Sequence, residues 1–176
     1  MFGAHIEQRG ATSVLIGYGA VFYVPSDPGT KYDLAPGVEE RIDPAAFTAA
    51  LRDKPNDVTC TYNHNPDWLL GKVSSKTVRL SVDKVGLRYE CDLPDTTAAK
   101  DVLASIERGD VTGSSFTFQV TDVAWTECGD MAIRNILSVE LFDVGPQTSA
   151  AYTSTKTCCC VVLTIPTRLT PSPRHS

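Results

Sequence analysis

Apolar and polar residues alternate along much of this chain, a pattern that places successive side chains on opposite faces of an extended strand. Segments rich in β-branched and aromatic residues predict strands over 13–24, 57–62, 71–80, 86–92, 111–125 and 131–144. Gly17 and Gly19 interrupt the first of these strands and predict a bend or bulge there. The Asp-Lys-Val-Gly sequence at 83–86 predicts the turn of a hairpin.

Helical signals are confined to two segments. Asp43 is a good N-cap and Pro44 suits a first helical position, so a short helix is expected to run to about Arg52. A second helix is predicted over 98–108, with Gly109 as its stop signal. Its apolar positions recur every three or four residues, at Ala99, Val102, Leu103 and Ile106.

The order of these elements shows no regular alternation of strands and helices. We therefore expect an α+β fold, with a mainly antiparallel, barrel-like β core and two or three peripheral helices. Proline and glycine predict a loop over 25–37. The length of 176 residues fits one domain, which we place at 1–166, and the Pro- and Ser-rich segment 167–176 is predicted to be a flexible tail.

Composition excludes several classes of function. The net charge of −5, without a dense basic run, argues against a nucleic-acid-binding surface. No apolar stretch reaches the roughly 18 residues of a membrane span, and the N-terminus has no secretory signal, so a cytosolic protein is expected. The six cysteines form no CxxC pair, and the run Cys158–Cys160 cannot supply tetrahedral zinc ligands. We therefore predict free thiols and neither metal nor cofactor.

Catalytic chemistry has one candidate histidine and two candidate serines. His64 ends a predicted strand between two asparagines, whereas His5 and His175 lie near the ends of the chain. Ser114 and Ser115 begin another strand directly after a glycine. A serine becomes a good nucleophile when a base removes its proton and a third group orients that base. The alternative for His64 is a histidine that only stabilises a turn.

Two carboxylates could orient such a base. Glu140 and Asp143 lie within an otherwise apolar strand, where a carboxylate is costly to bury without a partner. Regular alternation places them on opposite faces of the strand, so at most one is expected to face His64. Either could instead be a solvent-facing strand residue.

Several segments together resemble the prohead proteases of tailed phages, which are related in mechanism to the herpesvirus assembly protease. The resemblance covers about residues 14–155. Its marks are the segments 17–22 (GYGAVF), 40–47 (ERIDPAAF), 63–65 (NHN), 70–72 (LGK), 85–88 (VGLR), 93–96 (LPDT), 105–111 (SIERGDV), 115–118 (SFTF) and 140–144 (ELFDV). Thr117 stands where that family commonly has glycine.

This resemblance implies an assemblin-like fold and a triad. It assigns the nucleophile to Ser115 rather than Ser114, the base to His64 and the acid to Asp143, with Glu140 as the alternative acid. The implied activity is a serine endopeptidase that cleaves the scaffolding region of the major capsid protein, and itself, during prohead maturation. The enzyme would act, and could self-associate, inside the assembling prohead in the bacterial host cytoplasm.

Two other functions are compatible with the sequence. A non-catalytic capsid-assembly or scaffold module could share the fold, although it would have no chemical reason to keep both His64 and Ser115. A free-standing β-barrel binding protein is the third reading, for which the chain offers no ligand motif.

Overall fold

The computed structural model describes residues 4–53 and 57–149, which form two β-sheets and two α-helices. The strands are β1 His5–Arg9, β2 Thr12–Val21, β3 Tyr32–Ala35, β4 Val38–Ile42, β5 Thr59–Thr61, β6 Leu69–Lys72, β7 Val78–Val82, β8 Gly86–Asp92, β9 Gly113–Cys128 and β10 Met131–Gln147. The helices are α1 Thr48–Asp53 and α2 Thr97–Glu107, and single 3₁₀ turns lie at Pro28–Thr30 and Pro66–Trp68.

The first sheet is antiparallel and has the order β1-β2-β8-β7. β2 supplies much of its buried surface, and its register with β8 shifts between Tyr18 and Ala20. This irregularity confirms the bend predicted from the two glycines. Helix α2 begins where the Thr96 hydroxyl accepts a hydrogen bond from the Ala99 N–H (3.3 Å), and it buries Ala99, Val102 and Ile106 of the predicted apolar stripe, whereas Leu103 is half-buried.

The second sheet is built around the long strand β10. β9 pairs antiparallel with β10 along nearly its whole length. On its other side β10 pairs in parallel with β4 over 132–136 and with β5 over 143–144. β3 and β6 extend the sheet as antiparallel partners of β4 and β5. Two short strands therefore share one edge of β10, and β5 lies at its C-terminal end.

The hydrophobic core lies between the two sheets. The stacked rings of Phe116 and Phe118, with centroids 4.2 Å apart, form its centre on β9. On β2, a Cβ at Gly17 would lie 2.4 Å from the Ser114 hydroxyl, and one at Gly19 would lie 3.2 Å from Val144. Glycine at these two positions therefore permits the close approach of the first sheet to β9 and β10.

The α+β class, the 83–86 hairpin turn and helix α2 are confirmed, whereas barrel closure is not confirmed for the described residues. The strands are mainly antiparallel, as predicted, and the exceptions are β4 and β5, which both run parallel to β10. The predicted strand 71–80 is two strands, β6 and β7, separated by a turn.

Three other sequence predictions need correction. The predicted loop 25–37 contains β3, and His5 lies in β1 rather than in a frayed end. The Asp43 carboxylate accepts the Ala45 N–H (2.8 Å) and so caps a turn, after which α1 begins only at Thr48. The Cys158–Cys160 run and the tail from Thr167 lie outside the described residues. No helix in the described part of the chain is long and apolar enough to cross a membrane.

Candidate active site

The turn that follows β5 carries His64. Asn63 and His64 both adopt left-handed backbone conformations, with φ of 54° and 52°. Such conformations cost about 1–3 kcal/mol each outside glycine and persist where surrounding contacts fix them. The Asn63 N–H donates to Pro146 O (3.1 Å), and the Asn63 side-chain oxygen accepts the Thr148 N–H (2.9 Å). These bonds tie the turn to the C-terminal end of β10.

Gly145 allows this turn to lie close to β10. A Cβ at this position would lie 1.9 Å from Thr61 O, a separation that no side chain can occupy. The absence of a side chain therefore lets the backbone of β5 approach β10 where His64 enters the site.

His64 is held by Asp143. The two side chains are joined by a 2.7 Å hydrogen bond between Nδ1 and Oδ2, and each is 10% exposed. A carboxylate beside Nδ1 favours the tautomer that carries its proton there, which leaves the lone pair of a neutral imidazole on Nε2. His64 Nε2 is buried and has no hydrogen-bond partner among the described residues.

Two threonines orient the carboxylate of Asp143. The Thr61 hydroxyl donates to Oδ2 (2.7 Å), and the Thr59 hydroxyl donates to Oδ1 (2.7 Å). Both carboxylate oxygens are therefore engaged, and the carboxylate cannot rotate without breaking a bond. The sequence analysis missed these threonines, although alternation along β5 already placed both hydroxyls on one face.

Ser115 lies on the same face of the sheet as Asp143. Ser115 pairs with Gly145 and Thr117 pairs with Asp143, without a register shift between these two pairs. Paired and alternate residues share a face, so the side chains of Ser115 and Asp143 lie on one side. Ser115 is 0% exposed, and its hydroxyl lies 3.5 Å from Phe116 O. No hydrogen bond joins Ser115 to His64 Nε2 in the part of the chain that the structure describes.

Ser114 faces the opposite way, into the core. Its hydroxyl is hydrogen-bonded to the Tyr89 hydroxyl at 2.7 Å. Burial raises the pKa of Tyr89 well above its usual value, so its phenol stays protonated. The two adjacent serines therefore occupy different environments.

The buried thiol of Cys60 is not a competing nucleophile. The hydrogen bond with Cys91, together with burial, raises the pKa of Cys60, which leaves that thiol protonated and a poor nucleophile.

The two candidate acids differ in their contacts. The register of β10 shifts between Leu141 and Asp143, so a bulge at Phe142 reverses the alternation of side chains. Glu140 pairs with Gln119 and consequently lies on the same face as Asp143, contrary to the prediction of opposite faces. Glu140 nevertheless lies two residue pairs farther from Ser115 than Asp143 does, and the imidazole contacts Asp143.

Two further polar groups of this sheet were not predicted as site residues. Thr117 Oγ1 and Gln147 Nε2 are buried and have no hydrogen-bond partner among the described residues. Both side chains lie on the same face as Asp143, because Thr117 is its cross-strand partner and Gln147 follows it by four residues in the regular part of β10. An unpaired buried polar atom is rare enough in folded proteins to suggest an unbound ligand. In the sequence, only the alternation of side chains along β9 and β10 could have placed Thr117 and Gln147 near the candidate site.

Comparisons with known proteins identify the family. The family model for the caudovirus prohead serine protease matches residues 4–164, which include both sheets and the turn that carries His64. A search of curated proteins and a search of solved structures gave no match. A match over nearly the whole chain shows that the protein belongs to the caudovirus prohead serine protease family.

Proposed function

We propose that this protein is the serine endopeptidase of prohead maturation, with Ser115 as nucleophile, His64 as base and Asp143 as the orienting acid. Membership of the family supports the activity and its setting in capsid maturation. The observation that carries the residue assignment is the largely buried 2.7 Å bond between His64 and Asp143, on the same face of the sheet as Ser115.

In the first half of the reaction, Ser115 is acylated. Its oxygen attacks the carbonyl carbon of the scissile peptide, while His64 Nε2 takes the hydroxyl proton and the carbonyl π pair moves onto oxygen. The tetrahedral intermediate collapses when the C–N bond breaks and the imidazolium gives its proton to the leaving amine. Asp143 stabilises the imidazolium through Nδ1 and stays ionised throughout.

In the second half, water releases the acyl group. His64 Nε2 takes a proton from water as its oxygen attacks the ester carbonyl, and then returns the proton to the Ser115 oxygen as the ester bond breaks. The Thr59 and Thr61 hydroxyls hold the carboxylate in one orientation through both halves. The imidazole therefore keeps its tautomer during the whole cycle.

Substrate binding must bring Ser115 and His64 together. Ser115 is fully buried, and His64 Nε2 has no partner among the described residues. Catalytic hydrogen bonds are often long in unliganded enzymes and shorten in the Michaelis complex. We infer that productive binding exposes the Ser115 hydroxyl and places it within reach of Nε2.

The family indicates the substrate class. We propose that the enzyme cleaves the scaffolding region of the major capsid protein inside the assembling prohead in the host cell. Cleavage of the protease itself, for which the segment after Thr167 is a candidate site, and association between copies within the prohead belong to the same proposal.

The test is co-expression with the capsid precursor of the same phage. Ser115→Ala is expected to abolish processing while the protein stays folded, because it removes the oxygen that attacks the scissile carbonyl in the proposed mechanism. Ser114→Ala is the matched control, since it removes the neighbouring hydroxyl from the opposite face. It should retain processing, although the unpaired Tyr89 costs about 1–3 kcal/mol of stability. Normal processing in the presence of Ser115→Ala would contradict the proposed enzymatic function and favour the non-catalytic assembly module.

A further inference from the structure

The side chain of Gln147 is an unexplained polar group in the candidate active site. Gln147 is the last residue of β10 and is 4% exposed, and its Nε2 is buried without a partner among the described residues. Asp143, Gly145 and Gln147 alternate along a regular stretch of strand, so their side-chain positions share one face. The residue paired with Gln147 is Gly113, which has no side chain to contact the amide.

The backbone on both sides of Gln147 is fixed by the turn that carries His64. Pro146 O accepts the Asn63 N–H at 3.1 Å, and the Thr148 N–H donates to the Asn63 side-chain oxygen at 2.9 Å. Asn63 thus contacts the residues immediately before and after Gln147. The backbone of Gln147 is consequently held next to the turn that carries the imidazole, and electrostatic stabilisation of a transition state requires such a fixed scaffold.

Ser115 is paired with a position midway between Asp143 and Gln147 on β10. Its partner is Gly145, which has Asp143 two residues before it and Gln147 two residues after it. Diagonal neighbours across a pair of strands are about 7–8 Å apart, a distance that a glutamine side chain spans when a substrate carbonyl lies next to the serine. Along β10, the acid that holds His64 therefore precedes the position paired with Ser115, and the residue with the unpaired N–H donor follows it.

We propose that the side-chain N–H of Gln147 is a hydrogen-bond donor to the oxyanion of the acylation and deacylation intermediates. This assignment rests on the proposed function, since it takes Ser115 as the nucleophile. As the bond from Ser115 Oγ to carbon forms, the carbonyl π pair moves to oxygen, and the amide hydrogen bond to that oxygen strengthens. No proton is transferred, and the bond weakens again when the intermediate collapses.

The unpaired Nε2 of Gln147 distinguishes this role from a structural one. A buried amide donor without a partner destabilises the folded protein, so an apolar side chain of the same size should be neutral or stabilising there. A structural glutamine would show the opposite behaviour, because its replacement would break existing bonds. Replacement of Gln147 by an apolar side chain should therefore lower the reaction rate without lowering stability if the amide is an oxyanion donor, and should lower stability if the amide is structural.

The test uses an alkyl fluorophosphonate, which needs no knowledge of the natural substrate. The Ser115 oxygen forms a bond to phosphorus, the P–F bond breaks with loss of fluoride, and His64 takes the proton. The phosphoryl oxygen stands in for the oxyanion. The measurements are the second-order rate constant of labelling and the thermal unfolding midpoint. They compare the wild type, Gln147→Met, Gln147→Glu and the control Gln119→Met, which changes a glutamine on the same face but farther along β9.

Gln147→Met is expected to label about 10²–10³ times more slowly than the wild type, with an unchanged or higher unfolding midpoint, whereas Gln119→Met should label at the wild-type rate. Gln147→Glu keeps the shape of the side chain but opposes the oxyanion with its charge, so it should label at least as slowly. If Gln147→Met does not fold, the labelling rate of Gln147→Glu tests the proposal on its own.

Wild-type labelling rates in both Gln147 variants would overturn the assignment, as would a slower rate accompanied by a lower unfolding midpoint in Gln147→Met. Failure of the proposed function gives a different result. In that case Ser115→Ala would label as the wild type does, or neither protein would label, and the donor role would fall together with the nucleophile.

Discussion

Asp143 accepts three hydrogen bonds through its two carboxylate oxygens, from His64, Thr59 and Thr61. A carboxylate held in this way presents one fixed lone pair to the imidazole and determines which ring nitrogen carries the proton. The hydrogen bond to His64 supports an orienting role for Asp143, because the two threonine hydroxyls alone would satisfy a carboxylate that only needed partners for burial.

At this residue, Asp143→Asn is expected to lower kcat by about 10⁴, because an amide that donates to Nδ1 favours the wrong tautomer. Glu140→Gln is the matched change of charge on the same face and should leave kcat close to the wild-type value. The measurement is the rate of capsid-precursor cleavage by the purified variants. A large loss in Glu140→Gln alone would show that the acid has been assigned to the wrong residue.

At the scale of elements, the site depends on how closely β5 approaches β10. The two strands pair only at Asp143 and Val144, after which the backbone of Thr61 lies against Gly145. The left-handed turn at Asn63 and His64 then returns the chain over the end of β10. In the proposed mechanism, catalysis therefore depends on the packing of these two strands.

Gly145→Ala tests this coupling. Its Cβ would lie 1.9 Å from Thr61 O, so β5 must move away from β10 and carry the imidazole with it. We expect a loss in the free energy of unfolding larger than the roughly 1 kcal/mol typical of point substitutions, together with a loss of activity, measured by chemical denaturation and precursor cleavage.

The control for this substitution is Gly19→Ala, whose Cβ would lie 3.2 Å from a Val144 methyl that can shift. It should cost less stability and retain more activity than Gly145→Ala. Equal stability of Gly145→Ala and the wild type would contradict the role given to the close approach.

Local patterns predicted the elements whose signals are local. Alternation indicated β2, β9 and β10, and cap, spacing and stop signals together indicated α2. The Asp43 and Pro44 signal was misread, because a cap stabilises a turn as readily as a helix. The bulge at Phe142 and the parallel partners of β10 were not predictable, since both depend on pairing between distant segments. That bulge is why Glu140 and Asp143 share a face.

At the scale of the whole molecule, β9 has two functional faces. Phe116 and Phe118 pack into the core between the sheets, and Ser114 joins them through Tyr89. Ser115 and Thr117 lie on the other face with Asp143. The core thus fixes the strand that presents the proposed nucleophile, and the rigidity of the site comes from packing on the side opposite to the chemistry.

The sequence indicated candidate residues for the site but not how they are arranged. His64 was notable as the one histidine at a strand end, and the family resemblance selected Ser115 and Asp143. The partners that position them, Thr59 and Thr61, carry no motif, because a hydroxyl on a strand becomes significant only when another strand places a carboxylate beside it.

The most direct test of the central claim is to locate the covalent adduct of an alkyl fluorophosphonate by peptide mapping with mass spectrometry. One adduct is expected, on Ser115, and it should be lost in His64→Ala and kept in Ser114→Ala. An adduct on Ser114 or on another residue, or labelling of Ser115 that persists without His64, would contradict this claim.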